Sequence, residues 1–314
     1  MNIAHSIEEL DFSENSGLTI GNFDGVHLGH QALIRHTLDV CSGEGLTPVV
    51  MTFWPHPRQV VMPHLGHMPL TTREERFARL EALGVRHVLE LPFTHELAAL
   101  DAAGFVRAFL EPLRLRHLVV GYDFSLGRDR GGHVDVLRRL GADAGFCVEQ
   151  LPPVVVDGTV VSSTTLRKLI DEGDVREAAR LLGRFHGFSG QVVHGDGRGA
   201  GLGFPTANLA RPEVVIPRAG VYATLATLAT PAGSEKARPA VTCIGCKPTF
   251  GENELSVETF LLEGGGDLYG RTLRLDFVER LRGEKRFDSV DALKLQIAAD
   301  VEQARRILAA FVRQ

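Results

Sequence analysis

Short apolar runs alternate with amphipathic stretches through the first 180 or so positions, and the texture then changes. Strand candidates fall at 18–20, 47–53, 85–91 and 117–121. Between them lie helical patterns. One follows the first strand with Leu33, Ile34, Leu38 and Val40, and another spans 72–83, where Phe77, Leu80 and Leu83 share a face before Gly84. Alternation of strand and helix predicts a parallel sheet covered by helices, with ligands at the carboxyl ends of the strands. Beyond Gly183 the pattern becomes mostly strands, at 190–194, 221–228, 257–262 and 272–278, with Ala240-Val241-Thr242 also strand-like. Leu273, Leu275 and Phe277 alternate with polar neighbours, as a half-buried strand requires. Regular short strands separated by glycine and proline predict a small antiparallel barrel. From about residue 289 a long helix is expected, because Leu293, Ile297, Val301, Ala304, Leu308 and Phe311 recur every three or four positions. The change of pattern divides the chain into domains of residues 1–183 and 184–314.

Composition narrows the function without naming it. The 314 residues suit two domains, and 44% hydrophobic with 23% charged residues is ordinary for a globular chain. A net charge of −5 gives no general attraction to nucleic acid or to an anionic membrane, so any phosphate-binding cations must be local. The first ten residues have neither a cationic segment nor an apolar core, and no apolar run approaches a membrane span. A cytoplasmic protein without nucleic-acid or membrane partners is expected. Four cysteines are too few for a disulfide framework. The Cys243-Ile244-Gly245-Cys246 pair lacks two further zinc ligands nearby and ends a strand rather than opening a helix, so both cysteines are read as small buried residues. His56, His64 and His67 sit among prolines without helical spacing and are read as loop histidines, not metal ligands.

The candidate chemistry starts at Gly21-Asn22-Phe23-Asp24-Gly25-Val26-His27-Leu28-Gly29-His30, between a buried strand and a helix start. Glycines there let backbone N–H groups approach a phosphate, and a helix N-terminus favours an anion. His27 and His30, three apart, can face one ligand and meet developing negative charge. Ser162-Ser163-Thr164-x-x-Arg167 adds hydroxyls and a guanidinium at an apparent helix start; by itself it reads equally well as a helix cap. In the second half, the glycine-rich run Gly195-Asp196-Gly197-Arg198-Gly199-Ala200-Gly201-Leu202-Gly203 offers backbone amides that can wrap phosphates and leads into Phe204-Pro205-Thr206-Ala207-Asn208. Thr206 and Asn208 are hard oxygen donors two apart and suit Mg²⁺. Glu258 alternates with Val257, the pattern of an outward strand residue or of a base that orients a hydroxyl.

These motifs, with Thr52-Phe53-Trp54-Pro55-His56-Pro57, Gly121-Tyr122-Asp123-Phe124-Ser125-Leu126-Gly127 and Asp267-Leu268-Tyr269-Gly270, resemble in order and spacing the bifunctional bacterial riboflavin kinase/FMN adenylyltransferases, or FAD synthetases. The similarity runs from about residue 18 to about residue 304. It implies an N-terminal Rossmann-like nucleotidyltransferase domain with a parallel sheet, then a riboflavin kinase-like antiparallel barrel with a long terminal helix. It implies phosphorylation of riboflavin by ATP in the second domain and adenylyl transfer from ATP to FMN in the first, with FAD and pyrophosphate as products. By the same resemblance Gly21, Asn22, Phe23, Asp24, His27, Gly29, His30, Asp123, Ser162, Ser163, Thr164 and Arg167 hold ATP in the first domain. Gly197, Gly199, Gly201, Gly203, Pro205, Thr206 and Asn208 hold it in the second, Thr206 and Asn208 through Mg²⁺, and Glu258 is the catalytic base. Phe53, Pro55, Pro57 and Phe124 are candidate walls for the FMN ring. The chain departs from the family's usual residues at Trp54, Leu126, Phe185 and Cys243. Two other readings compete: a cytidylyl- or pantetheine-phosphate adenylyltransferase, which would have no use for a phosphoryl-transfer barrel, and a flavin-binding module without catalysis, at odds with the intact polar residues.

Overall fold

The computed structural model describes residues 1–10, 14–195, 198–230, 233–249 and 252–312. Two compact units divide the chain, Met1–Ser162 and Ser163–Gln314. In the first, among the described residues, six strands form one sheet: β1 (Asn2–Ala4), β2 (Ser16–Ile20), β3 (Thr47–Trp54), β4 (His87–Pro92), β5 (Leu115–Val120) and β6 (Cys147–Gln150), in the order β1-β4-β3-β2-β5-β6. Every pairing is parallel. Alternate side chains serve opposite faces, as the strand period of two demands. Val49, Met51, Leu118 and Val120 join one core with Leu110, Leu137 and Phe146. Val50 and Val119 join the other, against Leu33 and Ile34 of helix α1 (Leu28–Glu44) and Phe77 and Leu80 of α2 (Arg73–Ala82). Thr72 caps α2 by accepting the Glu75 N–H at 3.2 Å, which fixes its start where the apolar pattern begins. The edge strands β1 and β6 are too short to show an alternation and were not legible in the sequence.

From β2 the chain builds outward through β3 on one side and β5 on the other, so β2 and β5 flank a switch point. The open crevice of such a sheet lies beyond the carboxyl ends of these strands. The segments at 21–30, 53–57 and 121–124 leave the ends of β2, β3 and β5.

The second unit begins with α3 (Ser163–Glu172) and α4 (Val175–Leu182). This division falls earlier than the change of pattern near 183, because α4 packs on the barrel: Val175 is fully buried in its core with Phe188 and Tyr222. The strands are β7 (His186–Val193), β8 (Ala207–Leu209), β9 (Gly220–Thr230), β10 (Arg238–Thr249), β11 (Glu252–Leu261) and β12 (Thr272–Arg282). They run β9-β10-β11-β8-β7-β12, all antiparallel, and β12 returns to β9, closing the barrel. Leu273, Leu275 and Phe277 point inward and are wholly buried. Buried hydroxyls in the same barrel satisfy one another across three strands, Thr224 to Thr242 at 2.8 Å and Thr242 to Thr259 at 3.0 Å. Helix α5 (Val290–Val312) lays Ala304 and Leu308 against Val221, Ala223 and Val278. Its last apolar position, Phe311, stays exposed and meets Phe185 edge to face at 5.3 Å, a packing role for the departure at 185.

Candidate functional site

The turn after β2 is held from below. The Asp24 carboxylate accepts the Leu70 N–H at 2.8 Å, and Gly25 N–H donates to Thr71 Oγ1 at 3.3 Å. The Asn22 carbonyl accepts from the Arg76 guanidinium at 3.1 Å, and Arg76 is itself paired with buried Glu90 at 2.8 Å. Arg73 makes a second ion pair with Glu90. This support matters because Phe23 and Val26 adopt positive φ values of 49° and 40°, costly for side-chain-bearing and especially β-branched residues. The Phe23 ring is fully buried, and the Asp24 carboxylate, also buried, anchors the turn to Leu70. The Arg73–Arg76–Glu90 group was missed in the sequence, since its members lie on α2 and β4 with no local motif.

His27 is the N-cap of α1, and its Nδ1 accepts the His30 N–H at 3.2 Å. In the neutral imidazole that leaves the proton on Nε2 as a donor. The two rings stack at 3.6 Å with an interplanar angle of 16°, and Phe23 meets His30 edge-on at 5.3 Å. Burial, and secondarily the neighbouring His27, hold the His30 pKa well below the usual 6.5. His30 is thus neutral in the fold but takes up a proton near pH 6.5 once unfolded. Stability is unaffected above that pH and falls as the pH drops through and below it, because the unfolded chain binds the extra proton. Urea midpoints followed by the fluorescence of Trp54, the single tryptophan, should drop from pH 7.5 to about 5.5 more in the parent than in His30→Gln. Equal drops would remove His30 from the acid response.

Asp123 is exposed after β5, beside the histidine turn in sheet order, and Arg130 braces its segment by donating to the Asp123 carbonyl at 3.1 Å and to Ser125 Oγ at 2.7 Å. Phe53 and Phe124 are half-buried against the first core, Phe53 edge-on to Phe93 at 5.6 Å, whereas Pro55 is exposed and Pro57 opens a one-turn helix. Trp54 is 39% exposed with the Arg76 guanidinium 5.9 Å from its ring, and Leu126 is a buried core residue. Ser162 ends the first unit. Ser163, Thr164 and Arg167 belong to α3 of the second, where Arg167 folds back to donate to the Ser163 carbonyl at 3.2 Å.

In the second unit the barrel register brings the candidate residues together. Asn208 lies directly opposite Glu258 between β8 and β11, and Cys243 of β10 lies opposite Glu258 on its other side. Thr206 Oγ1 donates to Glu258 Oε2 at 3.4 Å. Ala207, Val257 and Thr259 turn inward, so Thr206, Asn208, Glu258 and Cys243 share the outer face. Glu258 is an outward strand residue, in one row with Asn208 and Cys243. Cys243 is accordingly an exposed free thiol, not a buried one, because its neighbours Thr242 and Ile244 take the interior positions. A cleft of about 300 Å³ opens beside the row, lined by Pro205, Thr206, Phe260, Gly264–Gly266, Asp267 and Tyr269. Tyr269 of this lining stacks on His194 at 3.9 Å.

The described part of the glycine-rich run approaches Thr206 and Asn208. A Cβ on Gly199 would stand 2.5 Å from the Phe204 carbonyl oxygen and 3.1 Å from Thr206 Oγ1, so the run and the Thr206 strand are in close contact. Gly201 and Gly203 are exposed, and Gly197 lies outside the described residues. Gly195, the first residue of the run, sits against the Asn208 carboxamide.

A histidine-capped helix at a parallel-sheet switch point, and an acid–amide–hydroxyl row beside a barrel cleft, suit a transferase with two nucleotide-dependent centres. Two family models match the chain, one described as FAD synthetase over residues 10–165 and one as riboflavin kinase over residues 182–308. The bifunctional riboflavin kinase/FMN adenylyltransferase of Pseudomonas fluorescens is 39% identical over 293 residues, 93% of this chain and 92% of that protein. Its counterpart from Escherichia coli K12 is 37% identical over 308 residues, 97% of each chain. A crystal structure described as a macrolide-efflux protein from Streptococcus pneumoniae superposes with a TM-score of 0.87 at 30% identity, covering 97% of this chain and 98% of that one. The chain belongs to the family of bifunctional riboflavin kinase/FMN adenylyltransferases. It phosphorylates riboflavin to FMN and transfers an adenylyl group from ATP to FMN, giving FAD. Among the described residues no helix is long and apolar enough to cross a membrane.

Proposed function

We propose that residues 1–183 carry adenylyl transfer at the histidine turn and residues 184–314 carry riboflavin phosphorylation at the Thr206–Asn208–Glu258 row. The observation that carries the second assignment is the register that sets Asn208 across from Glu258, with the Thr206 hydroxyl donating to that carboxylate beside the cleft. In the kinase step the primary hydroxyl of riboflavin attacks the γ-phosphorus of ATP, and the bond to the β-bridging oxygen breaks. Glu258 orients that hydroxyl and accepts its proton. A hydroxyl, an amide oxygen and a carboxylate are the hard donors Mg²⁺ prefers, so Thr206 and Asn208 suit a Mg²⁺ that would neutralise charge on the nucleotide phosphates.

In the adenylyl step an FMN phosphate oxygen attacks the α-phosphorus of ATP and pyrophosphate leaves. No protein nucleophile is required; positioning and charge stabilisation suffice. His27 Nε2–H, the His30 ring and the amides at the α1 start meet the charge that develops on the phosphates. The backbone of the 21–25 turn and Asp123 hold the rest of the nucleotide, and Phe53, Pro55, Pro57 and Phe124 form the apolar side for the flavin ring. Ser162, Ser163, Thr164 and Arg167 are assigned to ATP from their motif. ATP as shared substrate and the free thiols Cys41, Cys147 and Cys243 support action in the cytoplasm.

The test is product analysis by chromatography with riboflavin and ATP, with and without Mg²⁺. Both FMN and FAD should form with Mg²⁺ and FMN formation should stop after exhaustive chelation. Undiminished FMN formation without divalent cations would overturn the metal assignment.

A further inference from the structure

Gly195 lies just past the end of β7, where Val193 is the ladder partner of Asn208. A Cβ built on Gly195 falls on the Asn208 side chain: Oδ1 is 2.6 Å away, and Nδ2 and Cγ are nearer still. No other atom ranks among its three nearest neighbours. Real Cβ atoms do not approach that closely, so the carboxamide occupies the volume an alanine methyl would need. The conflict is confined to the tip of one rotatable side chain. It differs in kind from Gly199, where the nearest obstacle is the Phe204 backbone carbonyl. No positive φ requires glycine at 195, so the constraint is contact with Asn208, not backbone conformation.

We infer that Gly195 is a positioning residue for riboflavin phosphorylation: its missing Cβ is the bed on which the Asn208 carboxamide lies, facing Glu258. This rests on the reading that Asn208 serves the phosphoryl-transfer site. Asn208 belongs to a three-residue strand, so its backbone is held by the β7 and β11 ladders while its χ angles are free to be set by what lies beneath. Glycine leaves room for the carboxamide to lie over position 195. A methyl group at 195 would turn the amide away without disturbing either ladder.

The experiment is a double-mutant cycle on the full chain, with riboflavin kinase turnover as one readout and the side-chain amide NMR resonance of Asn208, assigned by its disappearance in Asn208→Ala, as the other. Gly195→Ala should shift that resonance and lower FMN formation about a hundredfold, the scale for misplacing a catalytic group by roughly an ångström. In an Asn208→Ala background, where the obstructed atoms are absent, adding Gly195→Ala should change turnover by less than about twofold. FAD formation from supplied FMN should be unchanged in every variant. If Gly195→Ala fails to fold, the double variant should fold, since its methyl then meets no carboxamide; a double variant that also fails overturns the inference. Additive losses, or an unmoved Asn208 resonance, overturn it as well. A different outcome, full kinase activity in Asn208→Ala alone, would instead refute the assignment of Asn208 to the site.

Discussion

Replacing His27 or His30 by alanine should lower FAD formation about a hundredfold while riboflavin phosphorylation continues, the loss expected for one preorganised donor to developing charge. The two rings stack at the start of α1, and both belong to a unit whose core is separate from that of the barrel. His27→Ala also removes a helix cap, at a cost of about 1 kcal/mol. His27→Asn separates the two effects: asparagine is a good N-cap and keeps an acceptor for the His30 N–H, yet it has no imidazole. His27→Asn should therefore melt near the parent and still be defective in FAD synthesis. If it made FAD at the parental rate, the imidazole would be a cap and nothing more. If either alanine variant lost FMN formation while folded, the separation of the two centres would be wrong.

Glu258→Gln should reduce riboflavin phosphorylation by roughly a hundredfold or more, the usual contribution of a positioned base. Glutamine keeps the size and can still accept from Thr206 Oγ1, so the barrel register and the 3.4 Å contact have no reason to change. FAD synthesis from supplied FMN should stay near normal. Thr206→Ala and Asn208→Ala should weaken the same step, and raised Mg²⁺ should restore part of their activity but none of the activity of Glu258→Gln. A Glu258→Gln protein that phosphorylates riboflavin at the parental rate would reduce Glu258 to an outward strand residue.

Periodicity alone determined the two architectures. The alternating strands and helices of the first half and the short strands of the second are local patterns of burial, and each strand that was read became a strand because its apolar side chains could reach only one kind of core. The histidine turn was legible for the same reason: a strand end, a helix start and both imidazoles lie within ten residues of chain. What stayed hidden depended on contacts distant in sequence. The Arg76–Glu90 pair beneath Asn22 joins a helix to a strand, and no spacing announces it. Cys243 looked buried from its apolar neighbours, but barrel closure decided which face of β10 points outward. That α3 and α4 join the compact unit of the barrel was equally hidden, since burial of Val175 against the barrel is a tertiary event. Most consequential is the row at the barrel surface. Glu258 lies 50 residues from Asn208 in the chain, and only the β8–β11 register sets them face to face with Gly195 beneath. Sequence supplied the donors as residue types; hydrogen-bonded pairing of strands, which is blind to separation along the chain, set them in one row.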